Sequence, residues 1–406
     1  MRKFIEIKTR HNRFSDFSEM KICGFQVFFM RHGPLKDINT HSIPHACLKL
    51  SGIDMSGSFI HRFLINYDDR IYYTPERLWC GRWLTQGIQE SDNFETDINT
   101  LAEGLPEKEK ELLFLNISRE KTLFSSPSSE TFYSLLSDSE QELLKKREQP
   151  VILPSGSGIA ESTHISGKGC SPEAEKIQTE EIVVWEGYRY IKSYFYGPDH
   201  SLSDKNNMLK KHMDIIGGRD IIDAGAFFGD TAIPLTAFTK GTVHAFEPDT
   251  ANYQALVKNA ALNGCTNLKP INLGLFSEPR TLSVNKGNEP GSTKLSENAA
   301  DGNQIKADTE SVDSYAEKNN LDIGLIKSDI EGAEKQMLEG AYRTINRCHP
   351  LLMISIYHNY DDFFKLKPWL EKRHPGYEYH LLFPTMNLLT ASSFIAETML
   401  VAVPPR

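Results

Sequence analysis

The chain has 406 residues, 39% of them hydrophobic, and a formal net charge of -9. That is ordinary for soluble globular protein and long enough for two cores. An acidic surface with no Lys/Arg block repels a phosphodiester backbone, so the expected partner is a small neutral or basic acceptor and not a nucleic acid. No apolar run approaches the ~18 residues of a membrane span, and the basic start MRKFIEIKTRHNRF lacks the apolar core of a signal peptide. The six cysteines form no C-x-x-C pair, which reads as reduced thiols in a cytoplasmic protein.

In chain order, residues 1–149 mix strand-like runs (Gly24–Met30, Phe59–Ile65) with charged helical stretches (Glu107–Leu115, Thr131–Lys146), which predicts a separate α+β accessory domain. Arg31-His32-Gly33 after a strand-like run resembles the start of a histidine phosphatase site, but no second histidine motif backs it. His41, His45 and Cys47 make a poor metal set, because Pro44 breaks helical spacing. Trp79, Trp83 and the Tyr72-Tyr73 pair read as core before they read as a sugar-binding face. The expected role of this half is substrate binding, docking or assembly of a homo-oligomer. Residues 150–179 crowd Gly, Ser and Pro without apolar periodicity, which predicts a linker.

From Glu180 to Arg406 short apolar runs alternate with amphipathic segments of helix length. This is the pattern of a Rossmann-like, doubly wound, mostly parallel sheet. Strands are predicted at Asp220–Asp223, Thr242–Phe246, Leu268–Leu273, Ile323–Ser328 and Leu351–Tyr357. Helices are predicted at Asp230–Thr239, Asn252–Leu262, Val312–Asn319, Ala333–Ile345 and Asp361–Arg373. A polar, hairpin-rich insertion covers Ser277–Val312, and Glu378–Phe383 and Met399–Val403 close the sheet as antiparallel strands.

Four segments carry chemistry. In IIDAGAFFGDTAI (residues 221–233) a strand ends in Asp223, and a turn from Gly225 to Gly229 feeds a helix. Gly225 lets backbone approach a ligand, and Gly229 permits tight helix entry. The spacing D-x-G-x-x-x-G lacks the third glycine that a dinucleotide pyrophosphate demands. A carboxylate there suits a ligand with an ammonium group and no pyrophosphate, such as methionine attached to adenosine. HAFEPD ends the next strand with Glu247, 24 residues beyond Asp223, where an acid can accept from both ribose hydroxyls. LIKSDIEGAE (residues 325–334) clusters Lys327, Asp329, Glu331 and Glu334 at a strand's carboxyl end, where ligand sites of open α/β sheets lie. A helix-start acid run explains Glu331 and Glu334 but not Lys327. ISIYHNYDD (residues 354–362) puts His358 at the tip of the fifth strand.

DAGAFFGDT, HAFEP with Asn252 and Asn259 behind it, NLGL, the Asp313 region and IKSDIEGAE followed by LEGA resemble, in that order, the FkbM-type S-adenosylmethionine-dependent methyltransferase family. The resemblance spans residues 190–385 or so, with Phe227-Phe228 standing where the family commonly has a short apolar or Asn-Ile pair. Members O-methylate hydroxyls on macrolides, sugars and other natural products. The resemblance implies a class I methyltransferase fold, a small-molecule or glycan acceptor, and glycan modification as the first guess. It implies that Asp223, Gly225, Ala226, Gly229, Asp230, Thr231, Glu247 and Pro248 surround the cofactor, with Asp329 near the methyl.

Methyl transfer to an alcohol needs alignment and removal of a proton. His358 is the expected general base, Asp329 its alternative or orienting partner, and Lys327 the third catalytic candidate. A second scheme holds magnesium on Asp329, His358 and Asn359, although magnesium prefers carboxylate and water to imidazole. Two other readings remain at this stage: an NAD-dependent oxidoreductase, which the glycine spacing disfavours, and a non-catalytic scaffold, which the intact acids disfavour.

Overall fold

A computed structural model describes residues 5–11, 15–22, 25–32, 49–50, 53–54, 91, 93–125, 129–145, 151–153, 181–195, 202–286, 293–296, 305–384 and 393–405. Phe59–Ile65, Gly33, His41, His45, Cys47, Tyr72, Tyr73, Trp79, Trp83 and residues 154–180 lie outside the described residues.

The chain divides into two compact units, Met1–Arg82 with Thr122–Leu135, and Trp83–Lys121 with Leu136–Arg406. In the first, β1 (Ile5–His11), β2 (Ser15–Ile22) and β3 (Phe25–His32) form an antiparallel sheet in that order. Strands β4 (Lys49–Leu50) and β5 (Ile53–Asp54) pair antiparallel. Four helices follow in the chain: α1 (Phe94–Ala102), α2 (Glu107–Ser125), α3 (Ser129–Leu135) and α4 (Asp138–Lys145).

Residues 83–121, expected within the amino-terminal domain, pack with the larger unit. The reason is a helical stripe: Phe94, Ile98, Leu101 and Ala102 are all buried, and the Phe94 ring meets Phe364 edge-on at 5.6 Å. Glu109 on α2 adds polar anchors, accepting from the Leu381 N–H at 2.8 Å and pairing with His380 at 3.0 Å.

Strands β6 (Val151–Leu153), β7 (Ile182–Trp185) and β8 (Tyr188–Ile191) form a small antiparallel sheet, so the expected linker begins with a strand. Helices α5 (Leu202–Lys210) and α6 (Met213–Ile216) lead to the main sheet. Its first strand is β9 (Asp220–Ala224), followed by a short α7 (Ala232–Leu235) that tightens into a 3-10 turn at Thr236–Phe238. Then come β10 (Val243–Phe246), α8 (Thr250–Leu262) and β11 (Leu268–Ile271). The predicted third strand stops short at Ile271, and just beyond it β12 (Gly274–Leu275) joins a second sheet with β13 (Arg280–Lys286), β14 (Thr293–Ser296) and β15 (Ile305–Glu310), in order β12-β15-β13-β14. The polar insertion is thus a sheet of its own.

Helix α9 (Val312–Lys318) and strand β16 (Ile323–Ser328) follow as expected. The next predicted helix is broken into α10 (Glu334–Glu339) and α11 (Tyr342–Cys348). Gly340 at the break lies so near the Phe276 carbonyl that a Cβ would sit 2.3 Å from its oxygen. Asp313 then caps α11 from outside, accepting from the Arg343 and Thr344 N–H groups at 3.0 and 2.7 Å. The chain ends in β17 (Leu351–Ser355), α12 (Tyr360–Arg373), β18 (Glu378–Leu382) and β19 (Met399–Val403).

The seven-stranded sheet has the order β11-β10-β9-β16-β17-β19-β18, and β19 alone runs against its neighbours. Strand β18, expected to be antiparallel to the sheet, therefore runs with the parallel set. Every residue of β16 and β17 is buried, which is why these strands read as apolar runs without alternation. Among the described residues no helix is long and apolar enough to cross a membrane.

Candidate active site

The carboxyl ends of β9, β10 and β16 meet at the turn that begins at Gly225. The Gly225 and Ala226 N–H groups donate to the Phe246 carbonyl at 3.0 and 2.9 Å, and Asp329 N–H donates to the Ala224 carbonyl at 3.0 Å. Gly225 has φ +77° and faces the backbone of Asp329 so closely that a Cβ would lie 1.9 Å from the Asp329 carbonyl oxygen. Glycine at 225 is what lets these strand ends touch.

Asp223 is fully buried, and Lys327 stands directly opposite it in the β9–β16 register. The Lys327 Nζ lies 2.9 Å from Asp223 Oδ1 and donates to the Gly225 carbonyl at 3.1 Å. Thr231 Oγ1 donates to the other carboxylate oxygen at 3.2 Å. Burial opposes the lysine's charge, but Asp223 and then Asp329 outweigh it and hold the ammonium above its ordinary range. Lys327, expected to be catalytic, is here the counter-ion and lock of the glycine turn. Asp223 and Thr231 are engaged in the same lock, and Asp230 acts on Lys327 from the turn.

Glu247 is buried at the tip of β10. Its carboxylate accepts from the N–H groups of Phe227 at 3.0 Å and Asp249 at 2.9 Å, and from Asn252 Nδ2 at 3.5 Å. Burial lifts its pKa to about 7, against the pull of those hydrogen bonds. Phe227, with φ +46°, turns its N–H onto that carboxylate, and its ring packs on Phe228 at 4.7 Å. Asn272 Nδ2 holds the chain at Glu247 and Pro248 by their carbonyls, at 2.8 and 3.3 Å. Two asparagines, one on α8 and one capping its end, secure the β7–β8 hairpin behind the turn. Asn259 accepts from Ile191 N–H and donates to the Phe228 carbonyl, both at 2.9 Å. Asn263 takes both backbone groups of Arg189, at 2.9 and 2.6 Å.

At the next strand ends, His358 lies between two acids. Its Nε2 is 3.2 Å from Asp329 Oδ1, and its Nδ1 is 3.2 Å from Glu334 Oε1, with Glu331 at 4.0 Å. Burial works against the charged imidazole, but Glu334 and Asp329 overcome it and push the histidine well above its ordinary range. The acids on either side favour the charged imidazole, whereas a general base at pH 7 calls for the neutral ring.

Asp329 is the most open of the pair, 22% of its side chain exposed. Burial would raise its pKa, yet His358, Lys327 and Lys205 hold it well below the ordinary carboxylate range. The Tyr357 hydroxyl donates to both its oxygens at 3.2 and 3.3 Å, and the Tyr357 ring lies 4.3 Å from the imidazole.

Of the residues in the alternative magnesium scheme, Asp329 and His358 come together at 3.2 Å, and Asn359 is engaged elsewhere. Asn359 caps α12, accepting from the Asp362 N–H at 2.9 Å, and its amide donates to the Asp362 carboxylate. Glu334 stands in its place: Asp329, Glu334 and His358 bring ligand atoms within 4.8 Å of one another. Each ring nitrogen also faces a different carboxylate at 3.2 Å.

Of three further contributors, Glu334 was legible in the sequence as one of the clustered charges, without a role of its own, and two were missed. Tyr357 is the last residue of an apolar run and carries no mark of its own. Lys205, buried on α5, sits in a polar stretch of the kind that normally covers a surface.

A parallel sheet closed by one reversed strand, with a glycine turn and an acid on successive strand tips, defines a class I methyltransferase fold. Residues 223–379 match the family model of the methyltransferase FkbM domain. Among solved structures it is similar to the methyltransferase FkbM from Methylobacillus flagellatus KT, at 17% identity and TM-score 0.43, over 78% of this chain and 60% of that one. An rRNA methylase from Streptococcus thermophilus aligns at 12% identity and TM-score 0.31, over 49% of this chain and 95% of that one. M. jannaschii TYW2 in complex with AdoMet aligns at 15% identity and TM-score 0.29, over 55% of this chain and 83% of that one. The chain therefore spans 60% of the first of these structures. No curated protein matches it.

Proposed function

We propose that this chain is an S-adenosylmethionine-dependent O-methyltransferase acting on a hydroxyl of a sugar, glycan or other small natural product. The observation that supports it most is Asp329, an ionised and partly open carboxylate beside the glycine turn. S-adenosylmethionine bound at the strand tips supplies an electrophilic methyl group. The donor set fits that ligand at Glu247, which can accept from a ribose diol, and at the turn backbone from Gly225 to Gly229. It fits less simply at Asp223, whose carboxylate is already paired with Lys327.

The residues divide the work accordingly. Glu247 holds ribose, the turn shapes the methionyl end, and Asp329 orients the acceptor hydroxyl and receives its proton. A hydroxyl oxygen that has gained a methyl is strongly acidic, so even a weak base suffices, and a positioned one is worth about 10²–10⁴-fold. The base role expected of His358 thus passes to Asp329. The net charge of -9 favours a neutral acceptor over a polyanion.

The test is methyl transfer from isotopically labelled S-adenosylmethionine to a library of sugars, glycans and alcohols, read by mass spectrometry. RNA fragments and NAD-linked substrates serve as comparison arms. Labelled ethers that disappear with Asp329→Ala, while cofactor binding persists, support the reading. Labelled RNA bases without labelled hydroxyls, or hydride transfer to NAD, would overturn it.

A further inference from the structure

We propose that Glu334 is a positioning residue that acts through His358 to aim the Asp329 carboxylate. The inference rests on the reading of Asp329 given above and adds a residue to that machinery. Three groups form a line from the interior outward. Glu334 has no solvent exposure, and its Oε1 is fixed by the Ile330 N–H at 2.9 Å. The same oxygen lies 3.2 Å from His358 Nδ1, and His358 Nε2 lies 3.2 Å from Asp329. A carboxylate behind an imidazole fixes ring orientation and protonation, and the ring's other nitrogen then works on whatever it faces. Here it faces a second carboxylate, so the ring serves as a charged strut.

The groups around His358 agree with that state. Asp329 and Glu331 face it from the turn after β16 and Glu334 from α10, while Lys327 on β16 acts on Asp329. Tyr357 stacks on it from the end of β17. Asp362 on α12 is buried beside Glu334, which with burial raises it to about 7, and Lys205 on α5 acts on Asp329. The carboxylates outnumber the cations in this shell, which favours the charged ring over the neutral one.

A purely structural Glu334, needed only to accept from Ile330, would be replaceable by glutamine. A positioning one would not, because glutamine accepts the same hydrogen bond but cannot hold the imidazolium. The experiment uses the full chain with ring-¹⁵N histidine, the His358 signals being assigned by their loss in His358→Gln. In the wild type both ring nitrogens of His358 carry protons at pH 7.5. In Glu334→Gln the His358 titration moves down by at least about one pH unit. With the acceptor found by the labelled-methyl screen, kcat falls at least ~10-fold while cofactor affinity changes less than ~2-fold, and the pH profile of kcat bends at the new His358 midpoint. Glu334→Asp restores both readouts in part. Should Glu334→Gln not fold, Asp329→Asn reports on the other end of the strut by the same His358 titration.

A wild-type His358 with an unprotonated nitrogen at pH 7.5, or a titration indifferent to Glu334→Gln, overturns the proposal. So does displacement of the His358 proton by zinc or manganese added alone at micromolar concentration, which would make the trio a metal site. Failure to bind S-adenosylmethionine would sink the methyltransferase reading, while the titration would still decide the strut.

Discussion

Gly225→Ala tests the closeness of β9 and β16 at its tightest point. The added Cβ would lie 1.9 Å from the Asp329 carbonyl oxygen, 2.9 Å from its carbon and 3.1 Å from Ile330 Cγ2, in a residue whose φ is +77°. The left-handed conformation alone costs an L-residue about 1–2 kcal/mol. Relieving the contact requires the β16 end to back away, straining the Asp329–Ala224 hydrogen bond and repacking Ile330, for another ~1–3 kcal/mol. The expected loss is about 2–5 kcal/mol. Gly187→Ala is the control, because Gly187 has φ +84° and no heavy atom within 4 Å of its would-be Cβ. It should carry only the conformational part, ~1–2 kcal/mol. Urea unfolding at pH 7.5, followed by tryptophan fluorescence, gives both values. The Gly225 variant should also lose the thermal shift that S-adenosylmethionine gives the wild type. Equal losses from the two substitutions would refute the contact between the strand ends.

Lys327→Met leaves Asp223 charged and buried without its partner, and should destabilise the chain by ~3–5 kcal/mol in urea; adding Asp223→Asn should recover much of it. Independence of the two substitutions in that cycle would refute the pair. Glu247→Ala should weaken S-adenosylmethionine binding by about 1.5–3 kcal/mol in calorimetry, and an unchanged affinity would take Glu247 out of the site. Glu120 is buried on α2, accepts from the Ser393 hydroxyl and the Phe394 N–H, and is lifted by burial from 4.5 to about 7. A raised acid stabilises the fold while protonated, so its contribution is full below pH 4.5 and fades as pH rises to about 7, by about 3 kcal/mol in all. Glu120→Gln should flatten urea stability between pH 5 and 8 by that amount, and an unaltered pH dependence would refute the assignment. Residues 83–406 should express as a soluble protein, whereas residues 180–406 lose α1 and α2, expose Phe364 and should aggregate; equal behaviour would show that those helices are dispensable.

Much of the sheet was legible because its strands are buried on both faces. Ile323–Ser328 and Met399–Val403 appear in the structure with the bounds read from their apolar runs. The glycine turn and Glu247 were legible because strand tips are where parallel sheets gather ligands. The break at Gly340 had one local mark, the glycine itself, but not the close approach of the Phe276 carbonyl, far away in sequence, which leaves no room for a side chain there. The pairing of Lys327 with Asp223 was not legible, because it depends on β16 lying next to β9. The charge of His358 depends on Glu334, an acid from the start of α10 whose burial only the packed fold decides. Local pattern carried the elements and the placing of the glycine turn and Glu247 at strand tips, while the choice of partners required the third dimension.

The reversed strand β19 also dictates an order of events. It lies between β17 and β18 in space but follows both in the chain. During synthesis β17 must therefore wait with one naked edge, its backbone donors and acceptors ready to pair with any strand that drifts by. Strand β18 meanwhile has no seat, because its only neighbour in the sheet has not yet been made. A ribosome-bound chain can assemble β9, β10 and β16 early, but its sheet closes like a zip fastened from the far side, when Met399–Val403 slides home. The interval before that closure is when this protein is most exposed to aggregation and to chaperones.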